Sequence, residues 1–215
     1  TDGTYTIGDT IPVTVSFDQA VTVNTAGGTP TIDIVVGSTT RQASYASGSG
    51  SPTLTFEYTV VEADSDDGDG IAVTADTLAL NSGTIVESAG DNDPADLTHA
   101  GVTGSGETVD ATRPTVSSTV PDGAAGRTDA SVDFTVTFSE TVDRTTLATG
   151  DFGLTRTDTA AGSVTSVSNT GTGTTATVTV SSITGEGTIA LDFTGAVDDV
   201  AGNPSTATFT GGSAH

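Results

Sequence analysis

The sequence predicts an all-β protein built as two tandem antiparallel β-sandwiches. Three observations carry this: side chains alternate apolar and polar with a period of two, the composition is dominated by strand and turn formers, and one plan of segments occurs twice. Thr makes up about a fifth of the 215 residues and Gly is abundant, while Met, Cys and Trp are absent. Thr with Val and Ile favours strands, and Gly, Asp and Asn favour the turns between them. Ser/Thr richness also suits an O-glycosylated stalk, but the apolar alternation argues for folded sheet.

In the first half, Val13, Val15 and Phe17 share one face of a strand, and Leu54, Phe56, Tyr58 and Val60 share the face of another. In the second half, Val132, Phe134, Val136 and Phe138 repeat the pattern, followed by Ala176, Val178 and Val180, then Ile189, Leu191 and Phe193. The opposite faces are mostly Thr: Thr53, Thr55 and Thr59, then Thr135 and Thr137, then Thr177 and Thr179. One buried and one wetted face marks antiparallel sheet in a sandwich, and no segment sustains a helical period. Seven strands are expected in the second half, at 115–120, 131–139, 152–157, 162–169, 174–181, 187–193 and 205–211.

The repeat is visible directly. IPVTVSFDQAV (11–21) aligns with VDFTVTFSETV (132–142), and TIVESAGDNDPADLT (84–98) parallels AVDDVAGNPSTATFT (196–210). Between the halves, residues 110–114 read as a short stiff connector, since Pro114 fixes its own φ and biases its predecessor to extended backbone. The expected organisation is two immunoglobulin-like sandwich domains, residues 1–110 and 111–215, of about seven strands each.

At this point the halves resemble a known family. GTYTIGDTIPVTVSFDQAVTV, GTPTIDI, SYASGSGSPTLTFEYTV and GTIVESAGDNDPADLTHAGV in the first half, and DATRPTVSSTVP, VDFTVTFSETV, GDFGLT and VDDVAGNP in the second, look like the bacterial Ig-like repeats found in tandem in giant secreted adhesins and other cell-surface proteins. The resemblance spans nearly the whole chain in order. It implies the sandwich fold, a calcium-dependent extender-type repeat whose bound calcium stiffens the array, and an extracellular or cell-surface location. One departure is Asp91, which interrupts the AGN run in the first half.

The charge balance points the same way. The chain holds 28 acids against 5 bases, all arginine, for a net charge of -23. Such a surface repels phosphate backbones and anionic membranes, so nucleic acid and direct membrane insertion are poor partner readings, and cations are the natural counter-ligands. Absent cysteine excludes disulfides and thiolate metal sites, and absent lysine excludes Lys–Asn cross-links. With no initiator Met, signal peptide or long apolar run, the chain reads as a mature fragment or a piece of something longer.

The acids gather in loops. EADSDDGDGI (62–71) holds Glu62, Asp64, Asp66, Asp67 and Asp69, yet it fails the twelve-residue calcium-loop pattern: counted from Asp64, position five is Gly68 and position twelve is Ala75. Strand parity is more informative, because successive loops of a sandwich alternate between its two ends. That places the stretch beside Glu107 and Asp110 at the outgoing end of the first domain. The same parity puts Glu140, Asp143, Asp151, Asp198 and Asp199, with Asn203, at the incoming end of the second. These twelve acids are the expected metal ligands, with calcium the expected ion, because crowded carboxylates repel and calcium takes six to eight oxygens. A second cluster, Asp2, Asp18, Glu87, Asp91, Asp93 and Asp96, is expected at the free end of the first domain. Some of its members are equally turn formers. Outward strand positions carry mostly Thr, with Asp33, Glu57, Asp133 and Asp192 as exceptions, which argues against a uniform acidic coat.

For catalysis the inventory is thin. His99 and His215 are the two histidines, so no His-based metal site or triad is expected. Tyr5, Tyr45 and Tyr58 sit in strand-like segments and read as packing residues rather than sugar platforms. The expected function is therefore non-enzymatic: a structural unit of an adhesin, surface layer or extracellular fibre, whose partners are neighbouring repeats or identical subunits. The alternatives are an adhesion module recognising a glycan or protein on another cell, and an accessory domain of a secreted enzyme. A subunit that donates a strand to its neighbour's sheet edge is a structural variant of the first reading.

Overall fold

The computed structural model describes residues 3–64, 68, 70–89, 93–104, 106–123 and 130–215. The chain divides into two compact units, Thr1–Thr112 and Arg113–His215. Both are all-β, and the Ig-like sandwich predicted by the alternation is what forms.

In the first unit the strands are β1 (Thr4–Thr6), β2 (Thr10–Asn24), β3 (Thr31–Val36), β4 (Thr39–Ser47), β5 (Ser51–Thr59), β6 (Ala72–Val73), β7 (Thr84–Glu87) and β8 (Thr108–Asp110). Six of them make one continuous antiparallel sheet in the order β6-β3-β4-β5-β2-β7. The sheet folds over itself because β2 changes partner along its length. Residues 10–16 pair with β5, the register shifts between Ser16 and Val21, and residues 21–24 pair with β7. The inward faces close on Ile11, Val13, Val15, Ile32, Ile34, Leu54, Phe56 and Ile85, all buried. Tyr5, Tyr45 and Tyr58 pack against this core, as their strand positions predicted. One feature departs from an antiparallel expectation: β1 and β8 pair in parallel, Thr4 opposite Thr108 and Thr6 opposite Asp110.

In the second unit the strands are β9 (Val116–Pro121), β10 (Ser131–Asp143), β11 (Phe152–Arg156), β12 (Ala161–Val167), β13 (Thr172–Thr184), β14 (Ile189–Phe193) and β15 (Asp198–Asp199). Here two sheets are separate. One runs β12-β13-β10-β15 with β9 also on β10, and the other is β11-β14. Phe134, Val136, Phe138, Val178, Val180, Leu191 and Phe193 fill the space between them. Phe193 is the aromatic hub, tilted against Phe152 with ring centroids 5.5 Å apart and edge-on to Phe138 at 6.4 Å.

Two expectations about the end of this unit need correction. The segment 205–211 is not a continuous strand. It touches β14 through isolated bridges, Phe193 with Phe209 and Ala190 with Ala214. Between those bridges the register slips at Gly211 and Gly212. Gly211 has φ +81, a left-handed conformation that glycine adopts without cost, and Gly212 lies so close to Thr119 Oγ1 that a Cβ would clash. The tail thereby reaches β9 as well, with Ser213 N–H donating to Thr119 O at 3.0 Å. The second correction follows from the first. Asp192, read as an outward residue, is 6% exposed. The tail covers it, and its carboxylate accepts from Thr155 Oγ1 at 2.7 Å and from the Gly211 N–H at 3.3 Å.

Candidate acidic loops

In the second unit, β10 carries its alternation past Phe138 into SETVD, and β15 returns beside it. Val142 faces Asp199 and Asp143 faces Asp198 across this antiparallel pair. Like charges directly opposite on paired strands repel. Glu140 and the buried Asp199 also bring a carboxylate oxygen of each within 4.8 Å of the other. The start of the unit lies at this corner: Ser139 N–H donates to Thr115 O at 2.8 Å, and Arg113 Nη1 donates to Pro204 O at 2.7 Å. Glu140 and Asp199, expected in loops, lie instead on the paired strands β10 and β15, which meet at the incoming end of the unit.

Three of the acids in this unit also have a local structural task. Asp143 caps a short 3-10 turn, accepting from Thr145 N–H at 2.9 Å and Thr145 Oγ1 at 2.7 Å. These two bonds favour the ionised form and hold its carboxyl below the usual range. Asp151 accepts from Ala148 N–H at 2.7 Å, while its main-chain oxygen takes the N–H groups of Thr194 and Gly195. Asp199 organises the AGN turn. Its Oδ1 accepts from the N–H groups of Ala201, Gly202 and Asn203 at 2.8, 2.6 and 2.9 Å, and its Oδ2 accepts from Asn203 Nδ2 at 2.8 Å. Asp198 is half-buried, and its N–H donates to Thr146 Oγ1 at 3.1 Å.

In the first unit, the acidic stretch leaves β5 through Val60, whose N–H donates to Asp9 O, and rejoins the sheet where Ile71 N–H donates to Glu107 O. The described end of the stretch at Ile71 thus lies beside half-buried Glu107, which leads into β8 and its last residue Asp110. Asp110 Oδ1 accepts from Thr112 N–H at 3.2 Å. Glu62 is exposed. Asp66, Asp67 and Asp69 lie outside the described residues, as do Asp2 and Asp91 of the second cluster.

Asp64 is the acid whose setting the sequence did not reveal. Its side chain is fully buried and pairs with Arg41 Nε at 2.6 Å. Both of its oxygens also take the Tyr58 hydroxyl at 2.8 Å, and Oδ2 takes the Val61 N–H at 2.8 Å. Burial, then the hydrogen bond and charge of Asp64, push Tyr58 up to about 12. The one available signal was Arg41 itself, a base on a strand in a chain with five bases. Burial and the charges of Glu107 and Asp9 likewise raise Tyr5.

Of the second cluster, Asp18, Asp93 and Asp96 are exposed and Glu87 is half-buried. Asp96 accepts from Thr98 N–H at 3.0 Å, an Asx turn that lowers its pKa. His99 is half-buried outside the strands, its Nε2 accepting from Thr77 N–H at 3.1 Å. His215 pairs its main chain with Ile189 in both directions.

Residues 110–211 match the family model of a bacterial Ig-like domain. The match covers the second sandwich from its connector to the tail. No curated protein and no solved structure matches the chain. In the second unit β9, β10, β12, β13 and β15 make one sheet and β11 with β14 the other, a two-sheet division that fits such a sandwich. Among the described residues no helix is long and apolar enough to cross a membrane.

Proposed function

We propose that the chain is a non-enzymatic structural unit of a secreted or cell-surface bacterial protein, such as an adhesin, surface layer or extracellular fibre, stiffened by calcium. The observation that carries this reading is the corner of β10 and β15. Asp143 stands opposite Asp198, and Glu140 and Asp199 bring oxygens within 4.8 Å of one another. Arg41 is engaged by Asp64, Arg144 and Arg156 donate to the main-chain oxygens of Thr172, Thr175 and Gly162, and Arg113 reaches Pro204 O at this corner. A hard divalent cation with oxygen ligands would relieve the repulsion.

Glu140, Asp198 and the outer lone pairs of Asp199 are the proposed ligands in the second unit. Calcium held by these groups would stiffen the second unit of a tandem array. The proposed partners are neighbouring repeats or identical subunits.

Calorimetric titration of calcium into the chelator-treated chain tests the reading, together with melting curves in calcium and in chelator. Binding to the folded state alone raises stability by about 2.7 kcal/mol at a hundredfold excess over the dissociation constant. Glu140→Gln should abolish most of that gain. Absence of calcium heat, with identical melting in chelator, would overturn it.

A further inference from the structure

The two units use their first strands differently, and the difference leaves an open strand edge in the first. In the second unit β9 lies antiparallel on β10, with Thr135 opposite Val120, Val136 opposite Thr119 and Thr137 opposite Ser118. By the repeat of 11–21 in 132–142, Thr14, Val15 and Ser16 are the counterparts of those β10 residues. In the first unit, however, β1 pairs in parallel with β8 rather than along β2. Among the described residues, 10–16 of β2 pair with β5 on one side and with no strand on the other.

The groups on that edge follow from the ladder. Val60 N–H donates to Asp9 O, so alternation directs residues 11, 13 and 15 at β5 and turns the main-chain groups of Pro12, Thr14 and Ser16 outward. Proline is tolerated in sheet where its missing N–H faces away from a ladder. At the counterpart position in the second unit, Asp133 O accepts from Asp122 N–H at 2.7 Å.

A cleft of about 350 Å³ lies along this edge, lined by Val13, Thr14, Val15 and Ser16 on one wall and by His99 and Val102 on the other. Val102, 49% exposed, is one of the most exposed large apolar side chains of the chain. In a protein of net charge -23, the lining among the described residues carries no carboxylate. Its neutrality selects the chemistry of what enters.

We infer that the Pro12–Ser16 edge of β2 is an acceptor site for an extended, uncharged strand rich in Val, Thr and Ser supplied by another polypeptide, in the manner that β9 covers β10. Strand addition gives affinity through main-chain hydrogen bonds and specificity through alternate side chains. An acidic partner segment is excluded by the surrounding charge, and a neutral one is not. The site does not depend on calcium, so failure of the calcium reading leaves it standing.

The probe is a synthetic peptide of the 115–121 sequence, TVSSTVP, with both ends capped, added to the full chain in calcium and in chelator alike. Saturable binding is expected, with slowed amide exchange at Thr14 and Ser16 in the unmodified chain. A scrambled peptide of the same composition should bind at least tenfold more weakly. Thr14→Pro removes one outward donor without touching the β5 ladder, so it should lose binding at least tenfold with unchanged melting. No binding at millimolar peptide, equal binding of the scrambled sequence, or protection on β12 instead of β2 would each overturn the inference.

Discussion

Replacing Asp64 by Ala tests whether a buried ion pair fixes the entry to the acidic stretch. The substitution leaves three donors without their acceptor: Arg41 Nε, the Tyr58 hydroxyl and the Val61 N–H. Removing one partner of a fully buried pair costs about 3–5 kcal/mol, because the other charge stays desolvated. Arg41 keeps 27% of its side chain in water, so the expected loss is lower, about 2–3 kcal/mol. For a unit of roughly 100 residues that corresponds to a fall in Tm on the order of 10–20 °C. The assay is intrinsic tyrosine fluorescence on heating. Tyr5, Tyr45 and Tyr58 are the chain's three tyrosines, all in the first unit, and there is no Trp, so this signal reports that unit alone. Asp64→Asn, which keeps one carbonyl acceptor, should fall between wild type and Asp64→Ala. A loss below about 0.5 kcal/mol in Asp64→Ala would refute the reasoning, by showing that water replaces the carboxylate freely.

Asp199→Ala should destabilise the second unit by on the order of 3 kcal/mol, since three consecutive N–H groups and the Asn203 amide lose their acceptor; far-UV circular dichroism with unchanged tyrosine melting would localise the effect. Tyr58 is raised from 10.0 to about 12, so between those pH values the unfolded chain releases a proton that the folded chain keeps, and stability should fall as pH rises through that window. Tyr58→Phe should flatten that alkaline slope in denaturant titrations. Asp143 and Asp96 are lowered from 3.8, so their stabilising bonds are intact above that pH and are lost as pH falls below it. Carboxyl chemical shifts followed by NMR should place both midpoints under 3.8, and Thr145→Val should bring that of Asp143 back up.

The strand framework was legible because alternation reports burial directly. Val132, Phe134, Val136 and Phe138 occupy the core for the reason the pattern gave, and the acids of 140–143 and 198–199 meet, on paired strands rather than in loops, because parity follows from strand order. Pairing of termini was not legible. Nothing in TYT or TVD distinguishes a parallel partner from an antiparallel one, since three residues carry no register signal. Asp192 looked outward because alternation identifies only the face opposite Leu191, not whether a later segment covers it. Asp64 looked like one carboxylate among many because its partners, Arg41 and Tyr58, lie on two other strand positions that only the folded sheet brings together.

The parallel contact of β1 with β8 has a mechanical meaning. These are the first and last strands of their unit, joined at Thr4–Thr108, Tyr5–Val109 and Thr6–Asp110 and buttoned by the hydroxyls of Thr4 and Thr108 at 2.9 Å. Tension applied through the chain draws one strand backwards and the other forwards along a shared axis. The bonds between them are then loaded side by side in shear instead of parting one after another as in a zipper. A patch of only three residue pairs becomes the point at which a pulled chain first resists.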